Sequence, residues 1–308
     1  MRVSVVMPVL NGEEYIAEAI DSVIAQTLAP AELLVVDNGS TDRTVAIASD
    51  YGDPVRVLSE SIPSASAARL TGVAAASGDA LMFMDADDLL GSTALEEMAA
   101  VLRDHPGTVA CCPWRRYERI DGEWQVRPPS CTPRKAGQHP LAAWLSGWYH
   151  PPCSVLWSME AYQRSGGWNP DCKLNQDGDL MMRALASGVP LIRTTGGVAY
   201  YRRLPEGNVS LSGQRFTAAG LAAKLDVIEG IEKKLEENRM VEQFRVALQT
   251  AFKLIAQDAA GQPELLARAE AGAARNTPSL MQAGRDIMMR ARNKLGLAKD
   301  VPEFSGSA

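Results

Sequence analysis

Residues 3–42 read VSVVMPVLNGEEYIAEAIDSVIAQTLAPAELLVVDNGSTD, and this stretch decides the fold. Val3-Ser4-Val5-Val6-Met7 is a β-branched apolar run without polar alternation, which predicts a strand buried on both faces. Ile16, Ala19, Ile20, Val23 and Ile24 then recur at helical spacing, and Leu33-Leu34-Val35-Val36 is a second strand. Asp37–Asp42 supplies turn formers and a cap for a helix over Thr41–Ser49. Working outward, Val55–Leu58 predicts a third strand, Ser66–Ser77 a third helix and Ala80–Met84 a fourth strand. Alternation of this kind specifies an α/β fold around a central, mostly parallel sheet.

The pattern is mixed between residues 105 and 212. Tyr117–Val126 reads as a hairpin around Asp121-Gly122, Leu180–Ala186 as a helix, and Leu191–Thr194 and Val198–Arg202 as strands. From about Gln214 the chain turns helical. Leu221, Leu225, Ile228, Ile231 and Leu235 form one apolar stripe, and Phe244, Leu248, Phe252 and Ile255 another. Pro263 and Pro278 mark further helix starts, and there is no internal repeat.

Of 308 residues, 46% are hydrophobic and 22% charged, which excludes a disordered or low-complexity chain. The net charge of −6 is uneven: residues 1–100 carry −12 and the remainder +6. An acidic first third argues against a nucleic-acid partner, because a phosphate backbone wants a basic face. Five cysteines without a C-x-x-C pair, and three histidines without ligand spacing, indicate neither zinc nor a disulfide framework. A reducing cytoplasm is the simplest setting. No stretch approaches 18 apolar residues, so no membrane span is expected.

Ligands of open parallel sheets bind outside the carboxyl ends of the strands. Those ends carry Pro8-Val9-Leu10-Asn11-Gly12, Asp37-Asn38-Gly39-Ser40 and Asp85-Ala86-Asp87-Asp88. Neither G-x-G-x-x-G nor a G-x-x-x-x-G-K-[ST] phosphate loop follows the first strand. Carboxylates at such a place suit a diphosphate only when a hard cation bridges the like charges. With 18 Asp in the chain, chance alone gives roughly one Asp-x-Asp, and two occur, Asp85/Asp87 and Asp177/Asp179. The first gains weight from its place at the mouth of a strand.

The stretch from Val3, continued by SASAARLTGVAAASGDALMFMDADD, GGWNPD, QDGDLMMRAL and YYRRLPEGNVSLS, closely resembles family 2 glycosyltransferases over about residues 2–212. The resemblance implies a GT-A nucleotide-sugar-binding domain over residues 1–212, with a donor half to residue 104 and an acceptor half from 105, followed by a helical extension over 213–308. It implies that Pro8, Val9 and Asp37 hold the base, that Arg69 lies beside the base or diphosphate, and that Asp85 and Ala86 contact the donor. Asp85 and Asp87 would hold Mn2+ or Mg2+, Arg202 would neutralise the diphosphate, and Asp177 would be the general base of an inverting transfer, with Gln176 and Trp168 toward the acceptor. The implied donor is a UDP-sugar, and the implied acceptor a saccharide, free or lipid-linked, of a bacterial surface polysaccharide.

The sequence departs from the family pattern at Leu10 (often aromatic), Leu70 (usually Asn), Gln176 (usually Glu) and Leu204 (often His). Structural alternatives stand beside the functional ones. Asp37 and Asp177 could cap helices, Arg69 could pair with a surface acid, Trp168 could be core, and Arg202 and Arg203 could merely flank a strand. A nucleotidyltransferase and a non-catalytic nucleotide-sugar binder are the rival functions. Arg285, Arg290, Arg292, Lys294 and Lys299 alternate with Ile287, Met288, Leu295 and Leu297, which suits an anionic membrane surface, the catalytic domain, or a second copy in a homodimer.

Overall fold

The computed structural model describes residues 1–204 and 216–297; the boundary near residue 212 and Lys299 lie outside the described residues. In chain order the first half runs β1 (Val3–Val9), α1 (Ile16–Ile24), β2 (Glu32–Asp37), α2 (Thr44–Ser49), β3 (Val55–Ser59), α3 (Ala65–Ala75), β4 (Ala80–Phe83), β5 (Leu89–Leu90) and α4 (Ala94–Asp104). The middle contains β6 (Val109–Cys111), β7 (Trp114–Ile120), β8 (Glu123–Arg127), α5 (Pro140–Leu145), β9 (Val155–Ser158), α6 (Met159–Ser165), α7 (Gln176–Ala186), β10 (Leu191–Arg193) and β11 (Ala199–Arg203). Four helices follow: α8 (Ala218–Glu237), α9 (Val241–Asp258), α10 (Pro263–Arg275) and α11 (Leu280–Lys294).

The main sheet has the order β10-β6-β9-β4-β1-β2-β3. The first four strands are parallel, as the alternation predicts, whereas β9 runs antiparallel between β4 and β6. β1 is central and, but for Ser4, which donates to Glu32, apolar on both faces because helices cover both; its Val5, Val6 and Met7 have no exposed surface. The chain goes from β1 to β2 on one side, while β4 lies on the other. That reversal opens a crevice at the carboxyl ends of β1, β2 and β4. Helix α3 lies close over it: a Cβ on Gly72 would come within 2.3 Å of Val6 Cγ1, so only glycine permits this approach.

A second sheet, β5-β11-β7-β8, stands beside the first. Its β7–β8 hairpin turns at Asp121 (φ 52°) and Gly122 (φ 87°), the two positive φ values that a two-residue hairpin loop requires. The stripes of α8 and α9 are buried as the spacing predicts. Leu221, Leu225, Phe244, Leu248 and Phe252 join one continuous apolar cluster with Val6, Leu34 and Phe83 of the sheet. The C-terminal helices up to α10 therefore complete the core beneath the crevice. All five cysteines are free thiols. Among the described residues, no helix is long and apolar enough to cross a membrane.

His150 is 3% exposed, shares a 3.1 Å hydrogen bond with Ser154 Oγ and meets the Trp148 ring edge-on. Burial, aided by the charge of Arg193, pushes its pKa down to about 3 from the ordinary 6.5. The unfolded chain therefore binds a proton below about pH 6.5 that the folded chain refuses, and stability falls as pH falls through that window. Denaturant unfolding of wild type and His150→Gln should show the wild-type advantage shrinking by about 2 kcal/mol between pH 7 and pH 5. A constant difference would remove His150 from the acid sensitivity of the fold.

Candidate functional site

The parallel register sets Val9 beside Asp37 at the carboxyl ends of β1 and β2, while β4 ends at Phe83, paired with Val6. Asp85–Asp88 thus emerges one strand away from Pro8 and Val9. Asp37 is 8% exposed; its carboxylate accepts from the Gly39 N–H at 3.2 Å and the Ser40 N–H at 3.1 Å, closing its own loop. Helix α2 starts at Thr44 rather than Thr41, with Arg43 at the N-cap position, and Asp42 of the predicted turn stretch accepts the Thr44 N–H at 2.9 Å. Leu10, where the family pattern often has an aromatic ring, is 59% exposed at the lip of this loop.

Arg69, from the second turn of α3, crosses the crevice. It is buried, and the acid it reaches is the partly exposed Asp85 of the crevice. Its guanidinium donates to Asp85 Oδ1 at 2.7 Å and to Gln176 Oε1 at 2.8 Å, and lies 4.7 Å from the centroid of the Trp168 ring. One cation thereby links the loop after β4, the first turn of α7 and the segment after α6. Trp168 is 4% exposed and edge-on to Phe83 at 4.9 Å, so in this structure its face carries Arg69 and not an open platform. Its position is enforced by Arg183, which donates to the carbonyls of Ser165 and Gly167 and is gripped by Asp179 at 2.7 Å. The second Asp-x-Asp therefore divides its labour: Asp179 is a brace, and Asp177 faces the charge cluster.

The carboxylates feel one another. Burial and then the charge of Asp85 push the pKa of Asp87 up to about 7. Asp177, half-buried in the first turn of α7, is raised by burial and by Asp85, and pulled back by Arg69. Asp88 is fully buried and raised well above an ordinary aspartate by burial and by Asp87 and Asp85. One of its oxygens accepts the Arg202 backbone N–H at 2.9 Å, and its carboxyl group also meets the Cys153 thiol. Among the described residues, no three His, Cys, Asp or Glu side chains converge as a ready-made metal cage. Asp85 and Asp87 nonetheless suit Mg2+ or Mn2+, which take one or two carboxylates and complete their shell with water and substrate phosphates.

Arg202 occupies a setting that the sequence did not disclose. Its guanidinium pairs with Glu18 at 2.6 Å and lies over the rings of Tyr15 (4.7 Å), Trp124 (4.9 Å) and Tyr117 (5.4 Å). Its charge is felt by Asp87. The hairpin spacing of Tyr117 and Trp124, which places them on one face and stacked at 5.0 Å, was the available signal for this box. Arg203, next along β11, bonds Ser130 Oγ at 3.2 Å, away from the box.

The sequence matches the profile of glycosyl transferase family 2 over residues 4–158. The chain belongs to glycosyl transferase family 2. A glycosyltransferase of Rickettsia felis, itself uncharacterized, is 30% identical over 191 residues; the match takes in 59% of this chain but 31% of that protein. Residues 1–349 of Staphylococcus aureus TarS, solved with UDP-GlcNAc, share the fold at a TM-score of 0.62 and 16% identity, over 96% of this chain and 92% of that fragment. GalNAc-T7, solved with UDP, GalNAc and Mn2+, follows at 0.59 and 15% identity, over 74% of this chain and 48% of that one. The family 2 chain thus carries the α/β fold read from its alternating strands and helices and the GT-A architecture that the resemblance implied.

Arg69→Met should destabilise this family 2 protein by about 2 to 3 kcal/mol in denaturant unfolding. The change leaves the buried Gln176 acceptor unsatisfied and Asp85 uncompensated, with the ion-pair part discounted because Asp85 is 37% exposed. Arg69→Lys should recover less than half, because an ammonium cannot serve both acceptors and the ring in one plane. Full recovery by lysine would show that charge alone matters.

Proposed function

We propose that this chain is an inverting glycosyltransferase that moves a sugar from a nucleotide-diphosphate sugar, a UDP-sugar in the first instance, to a saccharide hydroxyl. The observation that carries the reading is the convergence on Arg69 of Asp85 with Gln176, the neighbour of Asp177: a metal-type carboxylate loop and a base-type carboxylate share one crevice. In this reading Pro8, Val9 and Asp37 hold the base, Ala86 and Asp85 line the donor, and Arg69 and Arg202 hold positive potential near the diphosphate. A divalent cation on Asp85 and Asp87 would neutralise the leaving diphosphate. Asp177 takes the proton of the acceptor hydroxyl, whose oxygen forms the new bond to the anomeric carbon. The bond from that carbon to the diphosphate oxygen breaks, and the electron pair leaves with the nucleotide. Attack and departure on opposite faces invert the carbon without a covalent enzyme intermediate.

A donor in this chemistry is supported by TarS having been solved with UDP-GlcNAc, and the cation by GalNAc-T7 having been solved with Mn2+. The acceptor is proposed as a free or lipid-linked saccharide of a bacterial surface polysaccharide. Five free thiols suit work in a reducing compartment such as the cytoplasm. The elevated Asp177 suits a base, since a carboxylate raised toward neutrality accepts a proton more readily.

Calorimetric titration of UDP, GDP, dTDP and CDP with and without Mn2+ should give metal-dependent binding of one nucleotide, weakened about tenfold or more in Asp87→Ala. Asp177→Asn should keep that binding and lose about 10²–10⁴-fold in release of nucleotide from the donor. Because burial raises Asp177, the wild-type rate should fall with pH through a titration above the ordinary aspartate range. Arg69→Met, which removes the cation holding it down, should shift that limb further up. Binding without turnover in the wild type would favour a nucleotide-sugar binder, and retained turnover in Asp177→Asn would overturn the base.

A further inference from the structure

Helix α11 is amphipathic in the inverted sense. Its polar side chains face the protein: Gln282 Nε2 donates to the Glu242 carbonyl at 2.7 Å, and the Asn293 amide exchanges hydrogen bonds of 2.9 and 3.2 Å with Ala136. Apart from Met289, which turns toward α9, its large apolar side chains and that of the C-cap Leu295 face outward, with Leu280 94%, Met281 68%, Ile287 65%, Met288 66% and Leu295 70% exposed. None of the residues of this helix is buried. At 3.6 residues per turn these five fall within a sector of about 120°, a continuous stripe the width of a core-facing helix surface. A surface helix normally turns that stripe inward, so its outward display marks an interaction face.

The borders of the stripe say what it meets. Arg285 and Arg292 line one side and Lys294 the other, and none of the three has an ion-pair partner among the described residues. The helix carries one acid, Asp286, which is paired with Arg290 and lies on the protein-facing side. Basic residues flanking Leu, Ile and Met match an anionic lipid surface, with the apolar side chains in the acyl boundary and the cations among the headgroups. A second copy fits less well. Pairing two such stripes about a two-fold axis would set basic border against basic border, with no acid to relieve them.

We propose that α11 is a peripheral docking helix by which the chain attaches to an anionic membrane surface, lying in the interface without crossing it. This does not depend on the donor site, so its test is separable from that of the glycosyltransferase reading.

The test is co-sedimentation of the full chain with vesicles of phosphatidylcholine containing about one third phosphatidylglycerol, against pure phosphatidylcholine. The wild type should partition to the anionic vesicles, less so at high salt, and weakly to the neutral ones. Arg292→Ser with Lys294→Ser should weaken partitioning about 30-fold, the loss of two cation contacts with such a surface. Ile287→Asp with Met288→Asp should abolish it. Both pairs alter exposed side chains, so the thermal transition and nucleotide titration should match wild type, which separates loss of docking from loss of folding. Absent vesicle binding, or equal binding by wild type and the Asp pair, would overturn the proposal. A wild-type dimer in sedimentation velocity that the Asp pair dissociates, without vesicle binding, would assign the stripe to a second copy instead.

Discussion

The site depends on one constraint: four aspartates gather where parallel strands end, and like charges in a half-buried crevice repel. Asp85, Asp87, Asp88 and Asp177 cannot all stay ionised without compensation, and the rise in the pKa of Asp87, Asp88 and Asp177 expresses that conflict. Arg69 supplies buried positive charge to Asp85 and Asp177, as Arg202 does to Asp87. Holding Arg69 there requires α3 to lie against β1, which only a glycine at 72 permits, and requires α7 to begin where Gln176 can meet the guanidinium. Fold and electrostatics are therefore one problem. The close helix–sheet packing that buries Val6 also aims the cation that keeps the strand ends tolerable.

Both site arginines are held partly by aromatic rings. Arg69 lies over Trp168, and Arg202 over Tyr15, Tyr117 and Trp124 with a single acid, Glu18. A ring face attracts a guanidinium through its quadrupole without bringing another full negative charge. In a crevice already crowded with carboxylates, that distinction matters: more acids would fix the arginines equally well and cancel the positive potential available to a bound anion. Asp88 contributes differently. By accepting the Arg202 backbone N–H it clamps β11 to the loop after β4, so the second sheet is registered on the first at the position of the cation.

Much of this was legible in the chain. Strands buried on both faces, the helix spacing and the turn residues of the first hundred positions identify the parallel sheet and put Asp37, Asp85 and Asp87 at strand ends, because those signals are local. The antiparallel β9 between β4 and β6 was not legible: Val155–Ser158 is a short apolar run whose partners come from distant parts of the chain. The aromatic box around Arg202 unites α1, a hairpin and β11, and periodicity within any one of them does not announce the others. Trp168 could be read as core or platform from sequence alone; the structure makes it core on one side and support for Arg69 on the other. The apolar and basic positions of α11 were plain, but which face points outward depends on Gln282 and Asn293 finding partners on α9 and the loop before α5.

Gln176 shows why a departure from a family pattern must be read in its surroundings. A glutamate there could accept from Arg69 as the amide does. It would, however, add a fifth carboxylate beside Asp177 and Asp85, raising the proton affinity of Asp177 further and taking up more of the charge of Arg69. The amide also does what a carboxylate cannot: while Oε1 accepts from Arg69, Nε2 donates to the Lys173 carbonyl at 3.3 Å, tying the segment before α7 to its first turn. Arg69 thus retains more of its charge for Asp177 and Asp85, and the loop that leads into the helix of Asp177 gains a hydrogen bond. In this chain the substitution redistributes the duties of the position instead of abolishing them, so Gln176 is no argument against Asp177 acting as a base.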